Sequence, residues 1–189
     1  MGPSLKTALR EKARGLVPLA PETRKLKSQR LVELVREHDA FGEARQIAIF
    51  YPRECEVDLL GLWSLAKKRC YFPKADPKGG MQFFRVSSLS DMAEGYAKIP
   101  EPLTSQRFAA LPWRAADLVL VPGLLFDPWG GRIGSGKGYY DRFLSSIKAQ
   151  KWGVCFSEQL SKSKLAQDST DVRMDALVTD LGWRLVKAR

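Results

Sequence analysis

A glycine-rich segment is the part of this sequence whose residue types are best suited to chemistry. Five glycines fall within nine positions and two cations stand among them, in the run Gly130-Gly-Arg-Ile-Gly-Ser-Gly-Lys-Gly-Tyr-Tyr-Asp141. Glycine lets the backbone approach a ligand closely and adopt positive φ, and the helix predicted to follow leaves free amide groups at its start. Because Arg132 and Lys137 add full positive charge, the segment predicts a cradle for phosphate groups.

The spacing within this segment separates it from two common nucleotide-binding motifs. Gly131 to Lys137 matches the beginning of GxxxxGK, but Gly138 follows where a P-loop needs serine or threonine for magnesium. The dinucleotide fingerprint GxGxxG is absent, so little favours a nicotinamide site. A surface turn that uses glycine only for its geometry is the plainer alternative.

The charge and composition of the chain narrow its class. The formal net charge is +10, and residues 1–36 hold nine Lys and Arg against three Glu. Such a region attracts either nucleic acid or a polyanionic small molecule, and composition leaves both open. Three scattered cysteines and a single histidine argue against a zinc site or a disulfide framework, which favours a reducing cytoplasm. No apolar run is long enough to span a membrane, so we expect no membrane association.

Two helices are predicted at the start of the chain. Ser4 can cap the first, whose buried stripe would be Leu5, Ala8, Leu9 and Leu16. Lys6, Arg10 and Arg14 recur every four residues and therefore share another face of this helix. The second helix would begin at Pro21, with a buried side formed by Leu31, Leu34 and Val35.

Strands and helices alternate through the rest of the chain. Apolar runs predict strands at 47–51, 70–72, 81–86, 118–121, 152–156 and 183–186, with helices near 57–68 and over 139–149. This order predicts a layered, Rossmann-like α/β fold, in which helices flank a mainly parallel central sheet. We expect a single domain over 1–189, with the basic helical region 1–40 packed on the α/β core.

The run from Val121 to Leu144, above all its Gly-Tyr-Tyr-Asp at 138–141, resembles the signature of the 5-formyltetrahydrofolate cyclo-ligase family. The similarity extends over most of the chain, through Lys6-x-x-x-Arg10, Ile47–Asp58, Phe72-Pro73-Lys74, Ile99-Pro-Glu-Pro102, Phe156-x-x-Gln159 and Asp171-x-x-x-Asp175-Ala-Leu-Val-Thr179. Two positions depart from the family pattern: Thr170 stands where histidine is common, and Ser135 where an aromatic or basic residue is frequent.

The resemblance implies an ATP- and Mg²⁺-dependent ligase that converts 5-formyltetrahydrofolate to 5,10-methenyltetrahydrofolate and releases ADP and phosphate. Phosphorylation of the formyl oxygen would make it a leaving group, and the nitrogen at folate position ten would then close the ring. Positioning and charge neutralisation suffice for this reaction, so no protein nucleophile is needed. The expected partner is a reduced folate, with or without additional glutamates, bound by a cytoplasmic monomer that has no nucleic-acid partner.

The resemblance also implies a set of site residues. The nucleotide would contact Lys6, Arg10, Arg132, Ile133, Gly134, Ser135, Gly136, Lys137, Gly138, Tyr139 and Tyr140. The folate would contact Tyr51, Glu56, Ser135, Gly136, Lys137, Gly138 and Tyr139. Lys137 and Arg132 would be the catalytic cations, and Asp141 with Asp171 would hold Mg²⁺. Without the resemblance, Asp141 could simply favour the start of a helix, and Asp171 could belong to a solvated acidic stretch.

Two other functions use the same features. A nucleic-acid-binding module would use the basic N-terminal region as its electrostatic footprint. Against it, the aromatic residues are not interleaved with the basic cluster. Another ATP-dependent phosphotransferase would use the same glycine-rich loop for a different acceptor.

Overall fold

A computed structural model describes residues 4–15, 18–66, 69–76, 78–103 and 109–186 of the protein. Five helices lie in these ranges: α1 (Leu5–Arg14), α2 (Pro21–Glu37), α3 (Asp39–Glu43), α4 (Leu60–Ala66) and α5 (Tyr139–Ser145). The strands are β1 (Ile47–Ala48), β2 (Cys70–Ala75), β3 (Met81–Arg85), β4 (Met92–Glu94), β5 (Pro100–Pro102), β6 (Leu118–Val121), β7 (Leu125–Phe126), β8 (Arg132–Ile133), β9 (Gln150–Val154), β10 (Ala176–Thr179) and β11 (Gly182–Leu185). None of the helices in the described ranges combines the length and apolar composition that a bilayer span requires.

A seven-stranded sheet in the order β11-β10-β9-β6-β1-β2-β3 forms the centre of the fold. The four inner pairings are parallel, whereas β3 and β11 pair antiparallel with their neighbours at the two edges. All four residues of β6 are fully buried, as expected for a parallel strand that is covered on both faces. The predicted layered α/β fold with a mainly parallel sheet is confirmed.

Alternating side chains of the inner strands divide the core into two apolar layers. Leu118 and Leu120 of β6 face the layer that includes Leu31 of α2 and Leu62 of α4. Val119, in contrast, faces the opposite layer, which is built from these buried residues: Ala48, Tyr71, Phe83, Val121, Phe126, Leu144, Ala149, Cys155, Met174 and Leu177. The buried side predicted for α2 is confirmed: Leu31 and Val35 are inaccessible, and Leu34 packs against the same layer.

The first helix begins as predicted but packs differently. The Ser4 side chain accepts a hydrogen bond from the Thr7 amide and caps α1. The predicted apolar stripe is wrong in its first part, because Leu5 is 67% exposed and Ala8 is also exposed. The last member of the predicted stripe, Leu16, lies outside the described residues. The surface beneath α1 is polar backbone of the glycine-rich loop, so this helix turns cationic side chains inward.

Several predicted elements are shorter than expected. The strand predicted at 47–51 is reduced to β1, although the Ile49 amide still donates to the Tyr71 carbonyl of β2 at 2.9 Å. The helix predicted at 57–68 runs only from Leu60 to Ala66, and 67–68 lie outside the described residues. The helix predicted to reach 149 ends at Ser145, since the hydroxyls of Ser145 and Ser146 bond back to main-chain carbonyls of the last turn.

Two small hairpins were not predicted. The glycine-rich segment that begins at Gly130 contains β8, which pairs antiparallel with β7. Strands β4 and β5 form a second hairpin, in which Ala97 and Lys98 both have positive φ, at 57° and 61°. Both hairpins reach the large pocket described below.

Candidate functional site

The turn that opens the glycine-rich loop is held by a buried aspartate. Asp127 is fully buried and accepts hydrogen bonds from three backbone amides, those of Trp129 (2.8 Å), Gly131 (2.9 Å) and Leu165 (2.7 Å). A Cβ atom on Gly131 would lie 2.3 Å from the Asp127 carboxylate, so glycine is required at this position. The turn therefore fixes the backbone that leads into β8.

The hairpin of β7 and β8 places an arginine inside the protein. The side chain of Arg132 is only 5% exposed, and its Nη2 atom lies 2.8 Å from Oδ2 of Asp141. Its Nη1 atom donates to the Pro122 carbonyl at 3.3 Å, and its guanidinium lies 5.6 Å from the centre of the Tyr140 ring. The positive charge of Arg132 is thus held in a fixed place at the wall of the pocket.

Lys137 stands between two glycines in left-handed conformation. The φ angles of Gly136 and Gly138 are 103° and 68°, which side-chain-bearing residues adopt only with strain. The Lys137 carbonyl accepts a hydrogen bond from Arg142 at 2.9 Å, which fixes the backbone, while the Lys137 side chain is exposed to the pocket. Among the described residues the Lys137 ammonium has no ion-pair partner, so it is free to meet an anion.

Helix α1 lies across the glycine-rich loop through its basic face. Arg10 donates to the carbonyl of Gly134 at 3.2 Å. The ammonium of Lys6 contacts Asp168 at 2.7 Å and also Asp171. Burial lowers the pKa of Lys6, but the two carboxylates outweigh this effect and raise it above the ordinary value. Lys6 is therefore a fixed cation at one wall of the pocket.

The opposite wall carries a carboxylate and aromatic rings. Oε2 of Glu56 accepts a hydrogen bond from the Arg53 amide at 3.0 Å. Burial raises the pKa of Glu56, although the Arg53 amide and nearby positive charges act in the other direction. Tyr96, in the hairpin of β4 and β5, lies 5.9 Å from the ring of Tyr139 in an edge-to-face contact, which joins this hairpin to the glycine-rich loop.

All the site residues implied by the resemblance line one pocket of about 1080 Å³. They come from four separate parts of the chain: Lys6, Arg10, Tyr51, Glu56, Arg132, Ile133, Gly134, Ser135, Gly136, Lys137, Gly138, Tyr139, Tyr140, Asp141 and Asp171. The volume lies slightly above the range usual for small-molecule sites, so it suits a large ligand or two ligands side by side.

Some lining residues were not predicted from the sequence as site residues. They include Arg53, Tyr96, Glu101, Pro122 and Asp168. Glu101 accepts a hydrogen bond from the Ala75 amide at 3.2 Å and thereby ties β5 to β2. Its place between two prolines, in a motif that also resembles the family, indicated rigidity rather than a position in the pocket.

The two predicted metal ligands are both bonded to cations of the protein. Asp141 pairs with Arg132 and accepts from the Val172 amide at 3.3 Å, while Asp171 pairs with Lys6. Within the described ranges no group of three or more His, Cys, Asp or Glu could hold a metal by itself. Mg²⁺ needs no such cage, because one or two carboxylates, water and phosphate oxygens complete its octahedron. The donor set therefore fits Mg²⁺ that arrives with a nucleotide.

Comparisons with known proteins identify relatives over nearly the whole chain. The sequence model of the 5-formyltetrahydrofolate cyclo-ligase family matches residues 3–180. The 5-formyltetrahydrofolate cyclo-ligase of Escherichia coli K12 is 30% identical over 170 residues, covering 85% of this chain and 92% of that protein. The mouse enzyme of the same name is 28% identical and covers 92% of this chain and 91% of its own. The NMR structure of Aquifex aeolicus 5,10-methenyltetrahydrofolate synthetase superposes with a TM-score of 0.82 at 32% identity, covering 98% of this chain and 94% of that one.

Proposed function

Because this chain belongs to the 5-formyltetrahydrofolate cyclo-ligase family, we propose that its large pocket binds ATP and 5-formyltetrahydrofolate side by side. The protein is an ATP-dependent ligase of this family, and its relatives are named 5-formyltetrahydrofolate cyclo-ligase and 5,10-methenyltetrahydrofolate synthetase. One observation supports this assignment of the pocket. The cationic glycine-rich loop and the carboxylate of Glu56 line the same pocket.

The cationic wall suits the triphosphate. Lys137 presents an ammonium that has no ion-pair partner among the described residues, and Arg132 presents a guanidinium that the Pro122 carbonyl and the Tyr140 ring hold at the pocket wall. Lys6 and Arg10 approach from α1 on the other side of the loop. Charges that are already oriented stabilise the additional negative charge of a phosphoryl-transfer transition state without reorganisation at the moment of reaction.

The opposite wall suits the reduced folate. An ionised Glu56 only accepts hydrogen bonds, so it can pair with the N–H groups of a pterin edge. Tyr51, beside it, and Tyr139, on the loop, supply flat apolar surface for the ring system. The folate would therefore lie between Glu56 and the loop residues 135–139.

The reaction follows from placing the formyl group against the γ-phosphate. The formyl oxygen attacks the γ-phosphorus, the bond from that phosphorus to the ADP oxygen breaks, and ADP leaves. The nitrogen at position ten then attacks the activated carbon, loses its proton, and the carbon–oxygen bond breaks to release phosphate. Lys137 and Arg132 hold the transferred phosphoryl group through both steps, so their roles are positioning and charge neutralisation.

We also propose that Asp141 and Asp171 hold Mg²⁺ together with phosphate oxygens of the nucleotide. When bound, the ion supplies positive charge that neutralises the phosphates and orients the leaving group. When Mg²⁺ and ATP bind, Arg132 would release Asp141, Lys6 would release Asp171, and both cations would turn toward phosphate.

Inward-facing cations support a folate enzyme over a nucleic-acid-binding module. Lys6, Arg10, Arg14, Arg24 and Lys27 all contact acceptors within the protein rather than facing solvent together. Much of the N-terminal charge that suggested nucleic acid is therefore used inside the molecule. A cytoplasmic monomer that binds reduced folate, with or without additional glutamates, is our further expectation, and the three free cysteines fit a reducing compartment.

The test is a coupled measurement of products. Purified protein is mixed with ATP, MgCl₂ and 5-formyltetrahydrofolate, and the near-ultraviolet absorbance of the methenyl product is followed together with phosphate release. We expect the two products in equal amounts and neither when one reactant is omitted. Folded protein that forms no methenyl product under these conditions would contradict the proposal, and phosphate release without folate would favour a different phosphotransferase.

A further inference from the structure

One polar group in the pocket wall has no partner in the described part of the chain. The hydroxyl oxygen of Tyr140 is buried, yet no hydrogen bond reaches it. Tyr140 itself lines the pocket. Buried hydroxyl groups are nearly always paired, because an unpaired one loses its bonds to water without replacement. Tyr140 lines the pocket but its hydroxyl is inaccessible, so a ligand can bond to this group when neighbouring side chains shift on binding.

The position of Tyr140 lies between the two halves of the pocket. The guanidinium of Arg132, which belongs to the cationic wall, lies 5.6 Å from the centre of the Tyr140 ring. Burial, together with the negative charge of Glu56 on the folate wall, raises the pKa of Tyr140. The ring is thus in contact with Arg132 of the cationic wall, while the negative charge of Glu56 acts on the hydroxyl group.

The chemistry of the two side chains is complementary. The hydroxyl stays protonated because its pKa is raised, so it can donate a hydrogen bond. Glu56, when ionised, can only accept, and one of its oxygens is already bonded to the Arg53 amide. Together they offer one donor and one free acceptor to a ligand edge. The oxo edge of a reduced pterin has the matching groups, N–H donors next to a carbonyl oxygen.

We propose that the Tyr140 hydroxyl donates a hydrogen bond to the pterin carbonyl of the bound folate, next to the N–H groups that pair with Glu56. The proposal rests on the proposed function and deepens it. It adds a folate contact to a residue that the family resemblance assigned to the nucleotide. Tyr140 would therefore determine specificity and join the phosphate loop to folate recognition.

The variant Tyr140→Phe removes only the hydroxyl and keeps the ring beside Arg132. We expect the KM for 5-formyltetrahydrofolate to rise by about tenfold, the effect of losing one hydrogen bond. The KM for ATP should stay within about twofold, and the melting temperature should be unchanged or higher, because no partner is lost in the free protein. Tyr71→Phe is the matched control, since Tyr71 is a buried tyrosine of β2 that does not line the pocket.

Three results would overturn the proposal that Tyr140 binds the folate. An unchanged KM for the folate in an active Tyr140→Phe variant would overturn it, and so would a rise in the KM for ATP alone. A melting temperature several degrees lower would show that the hydroxyl has a structural partner and would also overturn it. If the wild-type protein shows no turnover, the proposed function fails. The Tyr140 proposal is then judged by the equilibrium affinity of both proteins for 5-formyltetrahydrofolate.

Discussion

Lys6 and Asp171, separated by 165 positions in the chain, form an ion pair at the wall of the pocket. Family resemblance assigns them to different ligands, Lys6 to the nucleotide and Asp171 to the metal. In the protein alone they neutralise each other, and the Asp171 carboxylate also accepts from the Asp168 amide at 2.7 Å. Binding of Mg²⁺ and ATP would exchange partners, with Mg²⁺ taking the carboxylate and phosphate taking the ammonium.

Replacing Lys6 should therefore weaken the binding of ATP and strengthen the binding of Mg²⁺. In Lys6→Met, we expect the KM for ATP to rise about tenfold or more, because a charged hydrogen bond to phosphate is lost. Mg²⁺ without nucleotide should bind more tightly, because Asp171 no longer has a competing cation. Isothermal titration with MgCl₂ and steady-state kinetics measure the two effects.

Lys12→Met is the control for this change, since Lys12 is exposed on the same helix and does not line the pocket. Both affinities should be unchanged in that variant. If Lys6→Met weakens ATP binding and leaves Mg²⁺ binding unchanged, the exchange of partners is wrong, even though Lys6 would remain a phosphate contact.

Lys137→Met should impair turnover without affecting folding. The Lys137 side chain has no ion-pair partner among the described residues, and its loop is fixed by backbone contacts. We expect kcat to fall about a hundredfold or more, because removal of one preorganised transition-state contact typically costs that much. The melting temperature should match that of the wild type. Lys148→Met, an exposed lysine after α5, should retain full activity, and equal activity in both variants would remove Lys137 from the mechanism.

Asp127→Asn should destabilise the turn that begins the loop. Asp127 accepts from three backbone amides and is fully buried, whereas asparagine has one acceptor oxygen and would direct its amino group at an amide. We expect a loss of about 1–3 kcal/mol in the free energy of unfolding, measured by urea denaturation. Asp39→Asn, at an exposed position, should stay within about 0.5 kcal/mol. Equal stability of the two variants would show that the Asp127 carboxylate is not what holds the turn.

The ion pair between α2 and the sheet predicts a pH-dependent stability. Lys27 lies 2.9 Å from Asp180, whose side chain is only 6% exposed. Burial opposes ionisation of Asp180, but the bonds from Lys27 and the Ser157 amide outweigh it and lower the pKa of Asp180 below 3.8. The pair therefore stabilises the folded state above this pH, and its contribution is lost as the pH falls through the lowered pKa.

Lys27→Met should accordingly lower the free energy of unfolding by about 1–3 kcal/mol near pH 7, because a buried carboxylate loses its partner. The difference from wild type should shrink below about pH 4. Denaturation with urea, which carries no charge, over a series of pH values measures this. A difference that stays constant down to pH 3 would attribute the loss to packing of the lysine stem instead.

The sequence predicted the place of the glycine-rich loop because its signals are local. Glycines, cations and a following helix lie within twelve positions, and the strand Leu118–Val121 has an unambiguous apolar run. The inward direction of the basic face of α1 was not predictable in this way. Helical patterns assume an apolar partner surface, whereas α1 packs on the polar carbonyls of Gly134 and Ser135.

The assembly of the pocket depended on information that one sequence does not contain. Glu56 and Asp171 are brought to one pocket by the order of strands in the sheet, which periodicity does not determine. Only the family resemblance selected them among many surface acids. The hairpin that carries Tyr96 and Glu101 was missed, because its strands have three residues each and prolines at both ends of the second.

A crystal structure of the protein with 5-formyltetrahydrofolate, Mg²⁺ and a non-hydrolysable ATP analogue would show directly where both ligands bind. We expect the triphosphate against Lys137 and Arg132, the metal ion bound by Asp141, and the pterin edge against Glu56. A nucleotide bound outside the glycine-rich loop, or a folate bound away from Glu56, would contradict this expectation.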